Sequence, residues 1–210
     1  MSKNKTNLGR PKDLKKRESI LSAAAAIFME SGLNALHMEH VAKRAGVSKA
    51  TLYNHFKTKE LLFEHLIAQK TEEFIEVDFA SQIDVSDPVK ALNFVGHNYL
   101  GIIYSPEASA MRRSIIGADE ATKPLIQPYM RSGPQKIFGE LMSLLARLEK
   151  ESSFHFSDRS NACDLFLTML RNQKYLNEIF GFEGAPTQEE REAIVDRAVD
   201  VFIRYYGPIA

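Results

Sequence analysis

Throughout this chain the apolar residues recur at three- and four-residue spacing, and nowhere do β-branched residues alternate with polar ones as they would along a strand. A chain with that pattern buries its apolar faces helix against helix, and its prolines and glycines mark where one helix stops and the next begins. Ile20, Leu21, Ala24, Ala25 and Phe28 set a first helix over about 13–31, with Gly32 suited to its end. A short second helix over about 38–44 ends at Ala45-Gly46. A third begins after Ser48, a good N-cap, and ends near His55-Phe56. Thr58 caps a fourth, from Lys59 to about Phe79, carrying Leu61, Leu62, Leu66 and Phe74. Proline in the first turn opens a fifth at Ser86-Asp87-Pro88, running to about Tyr104, and a sixth at Ser105-Pro106, running to about Gly117. The seventh covers about 123–152 with a break or kink near Gly133-Pro134, the eighth about 158–180, and the ninth about 187–206. The expected fold is all-α, with about nine helices.

Composition narrows what such a bundle can be. Its 210 residues suffice for one good-sized domain or two small ones sharing an interface, and 44% hydrophobic with 26% charged residues excludes wholesale disorder. One cysteine, Cys163, forbids an internal disulfide or a multi-cysteine zinc module, and no apolar run is long enough to span a bilayer. The opening MSKNKTNLGRPKDLKKR has no apolar stretch after its basic residues, so the expectation is a chain without a secretory signal, in a reducing cytoplasm. There is no Gly-rich phosphate loop, no Ser-His-Asp motif and no cluster of metal ligands. The expectation is therefore binding rather than catalysis, with no cofactor and no metal.

Zero formal net charge hides an asymmetry. Met1 to Lys59 holds 12 Lys+Arg against 4 Asp+Glu, and the remainder 15 against 23. A basic module on an acidic one either binds a polyanion or simply solvates its surface with lysines, and charge alone leaves both open.

The stretch GVSKATLYNHFKTKELL, Gly46 to Leu62, favours the first reading. Helix, short turn, helix is the layout of a helix-turn-helix, with Gly46 at the reversal and Val41, Ala42, Val47 and Leu52 as the core that fixes the crossing. The third helix then opens at Ser48 and Thr51 and presents Lys49, Ala50, Tyr53 and Asn54 outward to a major groove. Lys59, His55, the Tyr53 hydroxyl and the N-terminus of the fourth helix would meet phosphate at its rim.

The run GVSKATLYNHFKTKELLFEHL closely resembles the DNA-binding signature of the TetR (tetracycline repressor) family of bacterial regulators, and ILSAAAAIFMESG and MEHVAKRAGVS resemble that family's first two helices. The resemblance covers about 15–65. It implies a flexible basic tail over 1–12, a three-helix DNA-binding head over 13–59 and a helical effector-binding and dimerisation domain over 60–210. Family members usually carry Ser or Thr where His37 stands and an acid where His40 stands, which together form a capping box. With both histidine the reciprocal cap is missing; His37 either contacts phosphate, giving DNA affinity that rises as pH falls, or is simply exposed. Two histidines without a third ligand make a poor metal site. In the tail, Gly9-Arg10-Pro11 either lies in a narrow minor groove with Arg10 pointing inward or is free in solvent.

Beyond Phe79 the segment SPEASAMRRSIIGADEATKPLIQPYMRSGPQKIFGELMSLL is similar to the C-terminal domain of the AefR-like and AcrR-like branch, which implies a ligand pocket between the fourth and eighth helices. Phe94, His97, Asn98, Tyr104, Met111, Arg112, Phe138, Met142, Phe166, Met169 and Asn172 are its candidate lining, or else ordinary core at helical spacing. Arg112, with Arg113, either receives an anionic ligand or solvates a helix face or pairs with Glu107 or Asp119.

The ninth helix is apolar over more than one stripe, with Ile194, Ala198, Val201, Phe202 and Tyr205 on one and Val195, Val199 and Tyr206 beside it. The surplus, and the resemblance, imply an isologous four-helix bundle with a twin, with Cys163, Leu167 and Leu170 on or near the seam. The expected partners are double-stranded operator DNA, a second copy and an unidentified small effector, with no membrane. The expected activity is ligand-released repression; a regulator with no effector, or an activator, remains open.

Overall fold

The structure, a computed structural model, describes residues 11–74, 81, 83–117, 119, 120 and 123–207. Among the described residues it contains eleven α-helices, two 3₁₀ turns and no strand. The head is built from α1 (Pro11–Ser31), a 3₁₀ turn (Leu33–Ala35), α2 (Met38–Arg44), α3 (Lys49–His55) and α4 (Lys59–Phe74). The body follows as α5 (Pro88–Ile103), α6 (Pro106–Ile116), a second 3₁₀ turn (Lys123–Leu125), α7 (Ile126–Ser132), α8 (Pro134–Glu151), α9 (Arg159–Leu170), α10 (Gln173–Ile179) and α11 (Gln188–Tyr206).

Local chemistry starts and stops these helices. Asp87, Ser105 and Asp158 each accept a hydrogen bond from the backbone N–H three residues on, with Pro88 and Pro106 in the first turns of α5 and α6. Thr187 and Glu190 form a reciprocal capping box that opens α11. Two of the helices expected from sequence are each divided. Gly133, at φ −116° and ψ −86°, separates α7 from α8 where Pro134 could not continue the ladder. Asn172 ends the run after α9 by accepting the Lys174 N–H at 3.0 Å, so that α10 starts afresh.

Two apolar cores result. The head core joins Ile20, Ala24, Phe28, Val41, Leu52 and Phe56 to Leu62, Phe63, Leu66 and Ile67 of α4, and takes in Met111 of α6 and Leu125 from the body. The body core gathers Val95, Leu100, Leu141, Leu145, Phe166, Val195 and Phe202. Within it α11 packs against both α5 and α9, so a single helix buries two stripes inside its own chain. Gly96 permits the α5–α11 approach: a Cβ there would lie 2.7 Å from a Val195 methyl.

Candidate functional site

The reading head depends on the turn between α2 and α3. Gly46 adopts φ +67°, a conformation open to glycine at little cost, and it closes α2 with Gly46 N–H to the Lys43 carbonyl and Val47 N–H to the Ala42 carbonyl at 3.0 Å. Ser48 then caps α3, its Oγ accepting from the Thr51 N–H at 3.1 Å and lying 2.9 Å from the Thr51 hydroxyl. Val41, Ala42 and Leu52 are buried beneath, which fixes the helix crossing.

With its inner face so held, α3 presents Lys49, Ala50, Tyr53 and Asn54 to solvent together. Lys49 Nζ is 2.5 Å from Glu39 Oε1 on α2. His37 is exposed at the start of α2, its side chain makes no capping bond, and its ring stands edge-on to His40 with centroids 5.3 Å apart. Two of the expected phosphate contacts are engaged elsewhere. His55 is only 12% exposed and its Nε2 lies 3.0 Å from Asp13 of α1. Lys59 is half-buried and reaches the Leu33 carbonyl at 3.4 Å, and burial pushes its ammonium below the ordinary lysine range. Lys57, in the α3–α4 turn, is exposed and was not among the expected contacts. Arg10 lies outside the described residues.

A cavity of about 400 Å³ opens between head and body. One part of its wall, including Phe28, Leu66 and Met111, belongs to the head core; the other, including Tyr99, Ile103 and Leu167, belongs to the body core. It therefore occupies the seam between the two cores, and α1 of the head borders it directly. Of the residues expected to line a pocket, Met111, Arg112 and Phe138 do so.

The others lie elsewhere for definable reasons. Phe94, His97 and Asn98 are on the outer face of α5, Phe94 51% exposed and Asn98 bonded back to the Phe94 carbonyl; the inward face of α5 is set by Val95, Tyr99 and Ile103 instead. Phe166 is fully buried against Phe202, ring centroids 5.1 Å apart. Met142 and Met169 pack on the outside of the body core, and Asn172 is spent on capping α10. Tyr104 is buried edge-on to Tyr175. Tyr99, Tyr129 and Tyr175, which do line the cavity, were missed; the i, i+4 pair Tyr99 and Ile103 carried the signal.

Arg112 is neither solvated nor paired with Glu107 or Asp119. It is buried, donates to the Ile103 carbonyl, to Ser109 Oγ at 3.0 Å and to Glu178 Oε2 at 2.7 Å, and its guanidinium lies 5.0 Å from the centroid of the Tyr175 ring. The pair ties α6 to α10. Since α6 also packs on the 3₁₀ turn of the head, the cavity wall and the head are mechanically linked through it.

The family model for the C-terminal domain of AefR-like transcriptional repressors matches residues 90–208, and that for the tetR family of bacterial regulatory proteins matches residues 20–66. The chain belongs to the TetR family. That family consists of transcriptional regulators rather than enzymes. The chain is 28% identical over 100 residues to the transcriptional regulator UidR of Escherichia coli K12, a match covering 48% of this chain and 47% of UidR. It thus spans about half the length of that curated relative. A crystal structure of a TetR-family regulator from Mesorhizobium loti superposes with TM-score 0.80 at 22% identity, covering 95% of this chain and all of that one. The Flavonoid-responsive Regulator FrrA superposes with TM-score 0.77 at 28% identity, covering 93% of this chain and 99% of FrrA.

On this TetR-family body, five of the seven residues expected at a dimer seam are internal. Cys163, Leu167, Leu170, Ala198 and Phe202 are buried within the chain's own core, because α11 packs on α5 as well as α9. Val201 and Tyr205 face outward, as does Leu165 of α9. No described helix is long and apolar enough to cross a membrane.

Proposed function

We propose that this protein is a ligand-responsive transcriptional repressor that binds a palindromic operator as a homodimer and is released by a small apolar or amphipathic effector. The position of the cavity in the seam between the head and body cores carries the reading. A molecule seated there touches Phe28 and Leu66 on one side and Tyr99 and Ile103 on the other, so its binding energy depends on how the head docks on the body. A coupling of only about 1–3 kcal/mol lowers operator affinity about 5- to 150-fold, enough to free a promoter.

The outward group Lys49, Ala50, Tyr53 and Asn54 supports entry of α3 into the major groove, with Ser48 and Thr51 at its N-terminus and His37 and Lys57 toward the phosphates. In a symmetric dimer the two recognition helices would be about 34–36 Å apart or a multiple of it. Outward Leu165, Val201 and Tyr205 support an isologous contact through α9 and α11. The repressor description of the matching C-terminal family supports repression, and the flavonoid response of FrrA makes planar aromatic effectors the first compounds to try.

Fluorescence anisotropy on DNA from upstream of the protein's own gene tests both halves. Binding should weaken steeply between about 50 and 200 mM salt and be reversed by an effector from a flavonoid panel. Absent or salt-insensitive binding defeats the DNA reading. Binding that no cavity ligand alters points instead to a regulator without an effector.

A further inference from the structure

The cavity has more hydrogen-bonding capacity than the chain itself uses. Among the described residues, the hydroxyls of Tyr99, Tyr129 and Tyr175 have no hydrogen-bond partner, although all three residues line it. Arg171, at the end of α9, lines it as well. Its Nε donates to the Leu167 carbonyl at 3.2 Å, and its guanidinium meets no carboxylate among the described residues.

The other charges in the wall are disposed differently. Arg112 is neutralised by Glu178 at 2.7 Å. Asp164, seven residues before Arg171, is exposed to solvent. Glu107 stands on the side of α1 and α4, where it also borders a smaller cavity with Leu21, Met29 and Leu66. Of these charges, Arg171 is the half-buried cation without an ion-pair partner among the described residues, and it shares the wall with the hydroxyls of Tyr99, Tyr129 and Tyr175. Burial pushes the Tyr99 phenol above its ordinary range, and the charges of Arg171 and Arg112 act against that rise, so both are felt at its hydroxyl. A half-buried guanidinium without a counter-ion is poorly solvated, and its planar fork suits an acidic group that accepts two N–H bonds.

We infer that the cavity takes a largely apolar molecule bearing one acidic group, which seats against the Arg171 guanidinium and the Tyr99 hydroxyl. The inference rests on reading the cavity as the effector site, and the experiment separates the two. Two probes share one arylamine frame: 1-anilinonaphthalene-8-sulfonate carries an acidic group, and N-phenyl-1-naphthylamine does not. Fluorescence titration of the full chain should show each binding once, displacing the other, with the sulfonate about tenfold tighter. Arg171→Met should abolish that preference while leaving the neutral probe's affinity unchanged, and Arg171→Lys should keep most of it. Tyr99→Phe should weaken only the sulfonate, by a few-fold. Equal affinities that Arg171→Met does not alter overturn the acidic-group assignment and leave a ligand-binding cavity standing. Failure of both probes to bind overturns the cavity reading and this inference together.

Discussion

Arg112 and Glu178 meet at 2.7 Å with both side chains buried, joining α6 to α10 across 66 residues of sequence. A buried pair is destabilising to break and often nearly neutral to replace whole. Arg112→Met should therefore cost about 3–5 kcal/mol in urea unfolding at fixed protein concentration, while Arg112→Met with Glu178→Leu should recover most of that loss.

The same pair fixes an acid response. Burial alone would raise the Glu178 carboxyl, but hydrogen bonds from Arg112 and Ser109, with the charges of Arg112 and Arg113, hold it below its ordinary value of 4.5. A carboxyl lowered on folding contributes stability that is complete above its unfolded value and is lost as pH falls through the folded one. Glu178→Gln should therefore be less stable than the parent at pH 7, with the difference shrinking below about pH 4. A deficit that stays constant from pH 7 to pH 3 would refute the assignment.

Lys49 and Glu39 pair in the open, and such an exposed pair contributes at most about 1 kcal/mol, so DNA competes for the lysine easily. Glu39→Gln should tighten operator binding a few-fold with an unchanged melting temperature. Lys49→Met should weaken operator binding and relax the preference for operator over unrelated DNA, whereas Lys57→Met should weaken binding to both alike and reduce the salt slope by about one, measured by anisotropy titration.

Cys163 is fully buried, and burial pushes its thiol up to about 12. Little thiolate exists at neutral pH, so a disulfide reagent should label the native protein only as fast as it unfolds. Rapid stoichiometric labelling without denaturant would show that this cysteine is not in the core.

Tyr205 is 74% exposed on α11, whereas Phe202, one turn earlier, is fully covered. Val201→Asp with Tyr205→Asp should shift sedimentation toward monomer with the far-ultraviolet dichroism intact. Phe202→Ala should instead cost about 3–5 kcal/mol of stability through the cavity it leaves.

The all-helical fold and most helix ends were legible because their causes are local: Ser48, Asp87, Ser105 and Thr187 each cap the helix that follows within three residues. The reading head was legible for the same reason. Long-range facts were not. Spacing alone does not say which face of α5 turns inward, and Gly96 against Val195 decides that from a helix a hundred residues away. Nor could the two stripes of α11 be assigned to a partner or to the chain's own α5 and α9 without the packing. His55 and Lys59 are engaged by Asp13 and the Leu33 carbonyl, neighbours that come together only through the tertiary fold.

The cavity's position across two cores divides its wall into a fixed half and a replaceable half. Phe28, Leu66 and Met111 also hold the head together, so altering them to suit a new compound would loosen the DNA reader at the same time. Ile102, Phe138 and Tyr175 pack against the body core instead and can vary without that penalty. Selection or engineering for a different inducer should therefore accumulate changes on α5, α8 and α10 and leave the α1 and α4 side untouched.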